Sequence, residues 1–172
     1  EIYTQYKGTR KPMPEELREQ VPVMKEVLAA MVIKTVEQPV LEADDILGTL
    51  AKRSEKEGME VSLISGDRDL LQIASERIKI RIPKTKGGKT EIEDYYAADV
   101  EAKYQVNPVQ FIDLKALMGD TADNIPGVPK VGEKTATELM VKFGSLEEIY
   151  NHIDDISKKS IRESLAANKE LA

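Results

Sequence analysis

The chain has 172 residues and no cysteine, with 31 acidic against 25 basic side chains for a formal net charge of −6. That length supports one domain with a real core, the missing cysteines exclude disulfides and thiolate chemistry, and no apolar run is long enough to span a membrane. The acidic balance argues against a simple nucleic-acid binder, unless the acid is gathered in one metal site and hides basic surface elsewhere.

The opening, EIYTQYKGTRKPMPEE, has no initiator Met and no signal-peptide pattern, and reads as the interior of a longer chain. Within it YKGTRK interleaves Lys7, Arg10 and Lys11 with Tyr3 and Tyr6. Such a mixture can grip a nucleic-acid backbone and stack a base, although an ordinary solvated charge run has the same composition. Pro14 is suited to the first turn of a helix through EELREQVPVMKEVLAAM, which Pro22 either kinks or divides. IKTVEQP predicts a short strand ending at Pro39. From Ala43 the apolar positions Ala43, Ile46, Leu47, Leu50 and Ala51 form an amphipathic helical stripe that ends near Gly58. MEVSLIS predicts a strand, GDRDLLQIA a return to helix, and RIKIRIP with KTEIEDY a hairpin around KTKGGK. The alternation predicts an α/β class with a mainly parallel sheet and flanking helices over residues 1–96.

After residue 96 the strand signals stop, and residues 97–172 read as helical. ADVEAKYQV is one helix. Asn107 caps and Pro108 opens another, VQFIDLKALM. The loop GDTADNIPGVPKVG leads to EKTATELMVKF, with Ala136, Leu139, Met140 and Phe143 on one face and Gly144 as its stop. Ser145 with Glu148 predicts a capped helix, and SKKSIRESLAANKEL a last one. The lone histidine, His152 in IYNHIDD, reads as a polar helix end. A Ser-His-Asp or Cys-His mechanism has no support, and any chemistry falls to carboxylates, lysines, arginines or a metal.

Three carboxylate clusters stand out. In EADD, Glu42 and Asp44 flank the apolar stripe and can converge, whereas the helix wheel turns Asp45 outward; ordinary N-terminal charge preference also accounts for the cluster. In ISGDRDLLQ, Asp67 and Asp69 follow directly on an apolar strand, at the carboxyl end where sites assemble in parallel sheets. Asp-x-Asp there offers hard oxygen ligands for Mg²⁺, or else Asp67 is a helix cap. In MGDTADN, Asp120 and Asp123 sit in an interhelical loop that also suits plain turn chemistry. Taken together, seven carboxylates in three clusters without histidine or cysteine point to metal-dependent phosphoryl chemistry. Separately, NIPGVPKVGEKTATEL places Gly127 and Gly132 around a turn and then a helix start with Lys134 and Thr135. Backbone amides, a helix N-terminus and a lysine make a non-specific clamp for phosphates.

YKGTRKPMPEELREQ, EADD, SGDRDLLQ and LKALMGDTADNIPGVPKVGEKTA, in order along almost the whole chain, closely resemble the 5′–3′ exonuclease domain of bacterial DNA polymerase I, within the wider flap endonuclease family. The resemblance implies a PIN-like nuclease core whose first strand is missing here, followed by a helix–three-turn–helix around residues 108–143. It implies a two-metal site for Mg²⁺ or Mn²⁺ held by Glu42, Asp44, Asp45, Asp67, Asp69, Asp120 and Asp123. Lys7 and Arg10 would lie in a helical arch and touch the scissile phosphate. Tyr6, Lys11, Gly127, Val128, Val131, Gly132, Lys134 and Thr135 would bind duplex or 5′-flap DNA, with K⁺ on hairpin carbonyls. The partners implied are such DNA and RNA primers on DNA, for a monomeric protein with no membrane contact, acting in the bacterial cytoplasm at the nucleoid and followed by polymerase domains. The family also supplies two upstream aspartates that have no counterpart here, so the chain alone is expected to be nearly inactive. Two other readings remain open at this stage: a non-catalytic duplex-binding module, and a haloacid-dehalogenase-like phosphatase with Asp67 as nucleophile. The latter lacks the small hydroxyl residue expected where Leu71 stands.

Overall fold

The computed structural model describes residues 3–172. Its sheet has the order β1 (Val61–Ile64), β2 (Ile78–Lys86), β3 (Lys89–Tyr95); β1 runs parallel to β2, and β2 pairs antiparallel with β3. The sheet is therefore mixed and not mainly parallel, because the turn KTKGGK closes a true hairpin. Gly87 and Gly88 both take positive φ, +59° and +78°, the backbone a two-residue hairpin turn requires. Ile78, Ile80 and Ile82 alternate into the core along β2. They join Leu70, Leu71, Val100, Phe111, Leu114 and Leu117, so one core runs from the sheet into the helical half.

Six of the helices lie where the sequence predicts them. These are α2 (Ala43–Lys56), α3 (Ala97–Tyr104), α4 (Gln110–Met118), α5 (Glu133–Phe143), α6 (Leu146–Asn151) and α7 (Lys159–Ala167). The start of α4 is locked reciprocally: Gln110 N–H donates to Asn107 Oδ1 at 2.8 Å, and Asn107 N–H donates to Gln110 Oε1 at 3.0 Å. Gly144, at φ +86°, ends α5, and Ser145 Oγ accepts from Glu148 N–H to start α6.

Four expectations are corrected. Helix α1 (Glu15–Ala30) passes unbroken through Pro22, and Pro14 precedes its first turn as the N-cap. None of its residues is buried, so water can satisfy the Arg18 carbonyl that Pro22 cannot. Residues 33–39 form no strand. Among the described residues no partner lies alongside to complete a ladder, and Val32 and Val40 are almost fully exposed. The stretch after β1 is a 3-10 helix, Arg68–Ile73, not an α-helix. Finally, the loop after α4 contains a minimal antiparallel pair, β4 (Gly119–Asp120) with β5 (Ile125–Pro126). Helix α2 is also rotated from its expected stripe. Gly48 brings it close to Ile73, Ala51 is buried, and Leu50 stays 44 % exposed.

Glu93 on β3 ties the hairpin to the rest. It accepts from Lys84 Nζ at 2.5 Å and Tyr95 Oη at 2.5 Å, pairs with Lys103 of α3 at 3.3 Å, and lies 3.6 Å from Arg68 at the start of the 3-10 helix. Hydrogen bonds from Lys84 and Tyr95, with Lys103 behind them, hold its carboxyl down to about 2. A carboxylate with a depressed folded value contributes stability that is complete above its unfolded pKa and is lost as pH falls toward the folded one. Glu93→Gln should therefore unfold at lower urea than the parent near neutrality, with the gap closing between about pH 4.5 and pH 2. A gap independent of pH would show that the carboxylate's charge is not what stabilises.

Candidate metal-binding active site

Three separate segments bring their carboxylates to one end of the sheet. Glu42 is the N-cap of α2, and Asp44 lies in that helix's first turn. Asp67 caps the 3-10 helix that leaves β1: its Oδ1 accepts from Asp69 N–H at 2.8 Å, and its own N–H donates to Ser65 Oγ at 3.1 Å. Asp120 closes an Asx turn after α4, with Oδ1 accepting from Ala122 N–H at 2.8 Å and from Asp123 N–H at 3.2 Å.

Their mutual field shows that they form one group. Burial pushes the half-buried Asp44 carboxyl up, and the negative charges of Asp67, Glu42 and Asp69 push it further. Burial likewise raises Asp69; Lys115 opposes this, while Asp67 and Asp120 add to it. Such clustering of like charge is destabilising without cations. Lys7 Nζ donates to Glu42 Oε2 and holds that carboxyl below its usual range, the Lys7 ammonium rising in return. Arg10 pairs with Asp123. Lys115, on α4, donates to Asp120 Oδ2 at 2.7 Å and lies 3.1 Å from Asp69 Oδ1. The Lys115 contact lowers Asp120. Burial works against the Lys115 ammonium, but Asp120 and Asp69 together raise it above its ordinary value. Among the described residues no three carboxylates already share one coordination point. The cations occupy the space between them. The donors are nonetheless hard oxygens in a field of excess negative charge, which suits a divalent ion of the Mg²⁺ type.

Asp45 stands apart from this group. Its Oδ2 accepts from Glu42 N–H at 3.1 Å, so it reaches back to cap its own helix. Lys7 and Arg10 lie in successive turns ahead of α1. Those turns dock on the Asp123 loop, where Lys7 N–H donates to Asp123 O at 2.8 Å and Asn124 Nδ2 donates to Gln5 O at 2.9 Å. Tyr6 and Lys11 are exposed; Tyr6 Oη lies 3.3 Å from Glu42 Oε1, with Lys7 Nζ over its ring at 4.7 Å.

The turn between α4 and α5 divides its expected residues into two kinds. Val128 and Val131 are 2 % and 4 % exposed, and their N–H groups already donate to Leu117 O and Val128 O. They anchor the turn and leave phosphate contact to others. Gly127 is small for a packing reason: a Cβ there would fall 2.2 Å from the Met118 carbonyl, and one on Gly119 would fall 2.2 Å from Gly127 N. Gly132, the N-cap of α5, faces open space, so a ligand can approach. Lys134 is exposed beside the first-turn amides of α5, which have no intrahelical acceptor, and Thr135 is half-buried. Sequence reasoning missed Lys115, whose only sequence signal is a lysine in the mostly apolar FIDLKALM, two residues after Asp113. The lone histidine, His152, stacks on Phe143 at the end of α6.

Hard oxygen donors gathered at one end of the sheet are the side-chain chemistry that divalent ions of the Mg²⁺ type select. The comparisons with known proteins make this specific. Residues 1–105 match the 5′-3′ exonuclease, N-terminal resolvase-like domain, and residues 106–172 match the 5′-3′ exonuclease, C-terminal SAM fold; the chain belongs to the 5′-3′ exonuclease family. It is 49 % identical over 172 residues to DNA polymerase I of Bacillus caldotenax and 47 % identical over 170 residues to that of Bacillus subtilis. In both cases it spans 19 % of the relative's length and 100 % or 99 % of its own. Among solved structures it is similar to the zinc-bound 5′-exonuclease of bacteriophage T5, with a TM-score of 0.77 and 28 % identity over 99 % of this chain and 65 % of that one. The T5 flap endonuclease in complex with DNA and metal ions gives 0.75 and 27 %, covering 99 % and 64 %. The catalytic core of Rad2 shares the fold at a TM-score of 0.61 and 20 % identity, over 92 % of this chain and 50 % of that one.

Because the Gly119 and Gly127 backbones touch, Gly127→Ala should unfold the turn or displace Asp120. We expect a loss of about 3 kcal/mol from overpacking, against little change for Gly132→Ala, where space is open. Urea denaturation of the two variants checks this, and equal effects would remove the packing argument.

Proposed function

We propose that the chain is the 5′–3′ exonuclease and 5′-flap endonuclease part of a DNA polymerase I, hydrolysing phosphodiesters near 5′ ends to leave 5′-phosphates. Its substrates would be duplex or 5′-flap DNA and RNA primers on DNA, removed during replication and repair. The observation that carries the reading is geometric: Lys115 Nζ lies 3.1 Å from Asp69 Oδ1 and 2.7 Å from Asp120 Oδ2, so carboxylates of two separate segments face one point, and Asp67 caps the turn that carries Asp69. Glu42, Asp44, Asp67, Asp69, Asp120 and Asp123 would hold two divalent ions, Mg²⁺ or Mn²⁺, with Asp45 fixing Glu42 from behind. Divalent ions supply activation of the attacking water and neutralisation of the leaving oxygen, so no protein base is needed. Lys7 and Arg10, now on Glu42 and Asp123, are the cations placed to turn to the scissile phosphate. The α5 amides with Gly132, Lys134 and Thr135 would clamp duplex phosphates, with K⁺ on carbonyls of the same turn. Tyr6 and Lys11 would extend the contact toward the flap.

The 19 % coverage of the polymerase relatives supports further domains in the native protein. The bacterial relatives fit a cytoplasmic setting; action at the nucleoid, as a monomer, is part of the same proposal. No helix among the described residues is long and apolar enough to cross a membrane.

In the intact polypeptide, Asp67→Asn and Asp69→Asn should each lower flap cleavage by about 100-fold or more, since a metal ligand is worth several kcal/mol in the transition state. Duplex binding should persist, because less negative charge faces the phosphates. Asparagine keeps the Asp67 cap, so near-normal cleavage by both variants would reduce these residues to structural caps. Duplex binding with no cleavage by the unmutated protein would favour the non-catalytic module.

Lys134→Ala should weaken duplex binding equally for unrelated sequences and reduce the salt slope of log K by about 1, the signature of one lost phosphate contact. Fluorescence anisotropy over a salt series measures both. A variant that discriminated between sequences would mean base-edge contact and no clamp.

A further inference from the structure

Lys115 joins two of the three carboxylate segments, and no role assigned so far uses it. Its Nζ lies 2.7 Å from Asp120 Oδ2 and 3.1 Å from Asp69 Oδ1, with only 25 % of the side chain exposed. Asp120 does not depend on it for position, because its Oδ1 is fixed by the Ala122 and Asp123 amides; the Asp69 backbone is held by Asp67, while its carboxylate meets Lys115. What Lys115 adds to the pair is charge.

We propose that Lys115 is a resident counter-ion that sets the divalent-metal affinity of the Asp69–Asp120 pair. This rests on reading those carboxylates as metal ligands. In the metal-free protein the ammonium neutralises them and lets the 3-10 helix and the α4–α5 loop lie side by side. A divalent ion seeking Asp69 Oδ1 and Asp120 Oδ2 must displace Nζ or bind within a few ångströms of a positive charge, and either weakens its hold. Displacement is costly, because the cleft of about 330 Å³ that Lys115 borders with Tyr104, Met118 and Glu133 also holds the cations Arg68, Lys84 and Lys103. Lys115 thus keeps the site exchangeable, loaded at working metal concentration and stable without metal.

The test is calorimetric titration of Mn²⁺ into the intact polypeptide, without DNA, for the parent, Lys115→Met, Lys115→Gln and Lys115→Arg. The heat of an Asp69→Asn/Asp120→Asn double variant is subtracted as background. Met and Gln should bind Mn²⁺ about tenfold more tightly than the parent, from removal of one nearby positive charge. Arg, which restores the charge, should stay within about twofold. The metal-free melting temperature should fall in Met and Gln and recover when Mn²⁺ saturates. A merely structural lysine moves affinity the other way, because a loosened site binds metal worse. Equal or weaker Mn²⁺ binding by both neutral variants therefore overturns the inference while leaving the metal-site reading intact. No binding by the parent above background overturns both.

Discussion

The backbone contact between Gly119 and Gly127 constrains everything around the site. Gly119 ends α4 at φ +71°, and Gly127 follows β5, so the loop between them is pinched shut with no room for a Cβ on either side. Inside the pinch are Asp120 and Asp123; immediately beyond it are Val128, Val131 and the start of α5. Asp120, Asp123 and the start of α5 therefore form one rigid piece. Ser164 of α7, itself buried, fixes that piece from the far side by donating to Pro129 O. A duplex held on α5 would thus have a fixed relation to the oxygens that meet its phosphodiester, which is what positioning a reacting bond demands.

Charge is the second constraint, and it explains why the basic residues are where they are. A cluster of partly buried carboxylates raises the pKa of its members and costs stability. The protein offsets this with three cations from different places: Lys7 and Arg10 from the exposed turns before α1, and Lys115 from α4. Only Lys115 is held on a helix. The other two ride on a segment anchored by a few hydrogen bonds to Asp123 and Asn124. Lys7 and Arg10 are thus tied to the site through a docked segment, whereas Lys115 is fixed by its helix. An acidic net charge is compatible with a DNA partner under these conditions, because much of the acid is spent inside the site.

Local signals were legible in the sequence where they were complete in themselves. Asn107 and Gln110 cap α4 reciprocally, Gly87–Gly88 turns the hairpin, and Gly144 stops α5, all as short-range chemistry dictates. The sequence also brings out the three carboxylate clusters, and the structure places Asp69 and Asp120 around one lysine. What could not be read depended on neighbours distant in sequence. Residues 33–39 have strand-like composition but no ladder to join. Helix α2 leaves Leu50 of its apolar stripe exposed while burying Ala51, which no periodicity reveals. Gly127 looks like a glycine kept small for a phosphate and is kept small for Met118. Lys115 is an ordinary helical lysine until the 3-10 helix is placed across from it.

The choice between helix cap and metal ligand, posed by Asp67 in the sequence, does not survive the structure as a choice. Asp67 caps with Oδ1, which leaves Oδ2 outside that bond; Asp120 binds two amides with Oδ1 and keeps Oδ2 for a cation. Asp45 caps outright and in doing so fixes the residue that carries Glu42. In each case one oxygen is committed to the backbone, which sets the rotamer and favours the negative charge through nearby N–H dipoles. The other oxygen is then presented from a side chain that has little freedom left to lose. A ligand held in this way gives up less entropy on binding an ion than one free to rotate. The capping chemistry is how this protein makes the Asp67 and Asp120 carboxylates rigid, on short turns that would otherwise be the least ordered part of the fold.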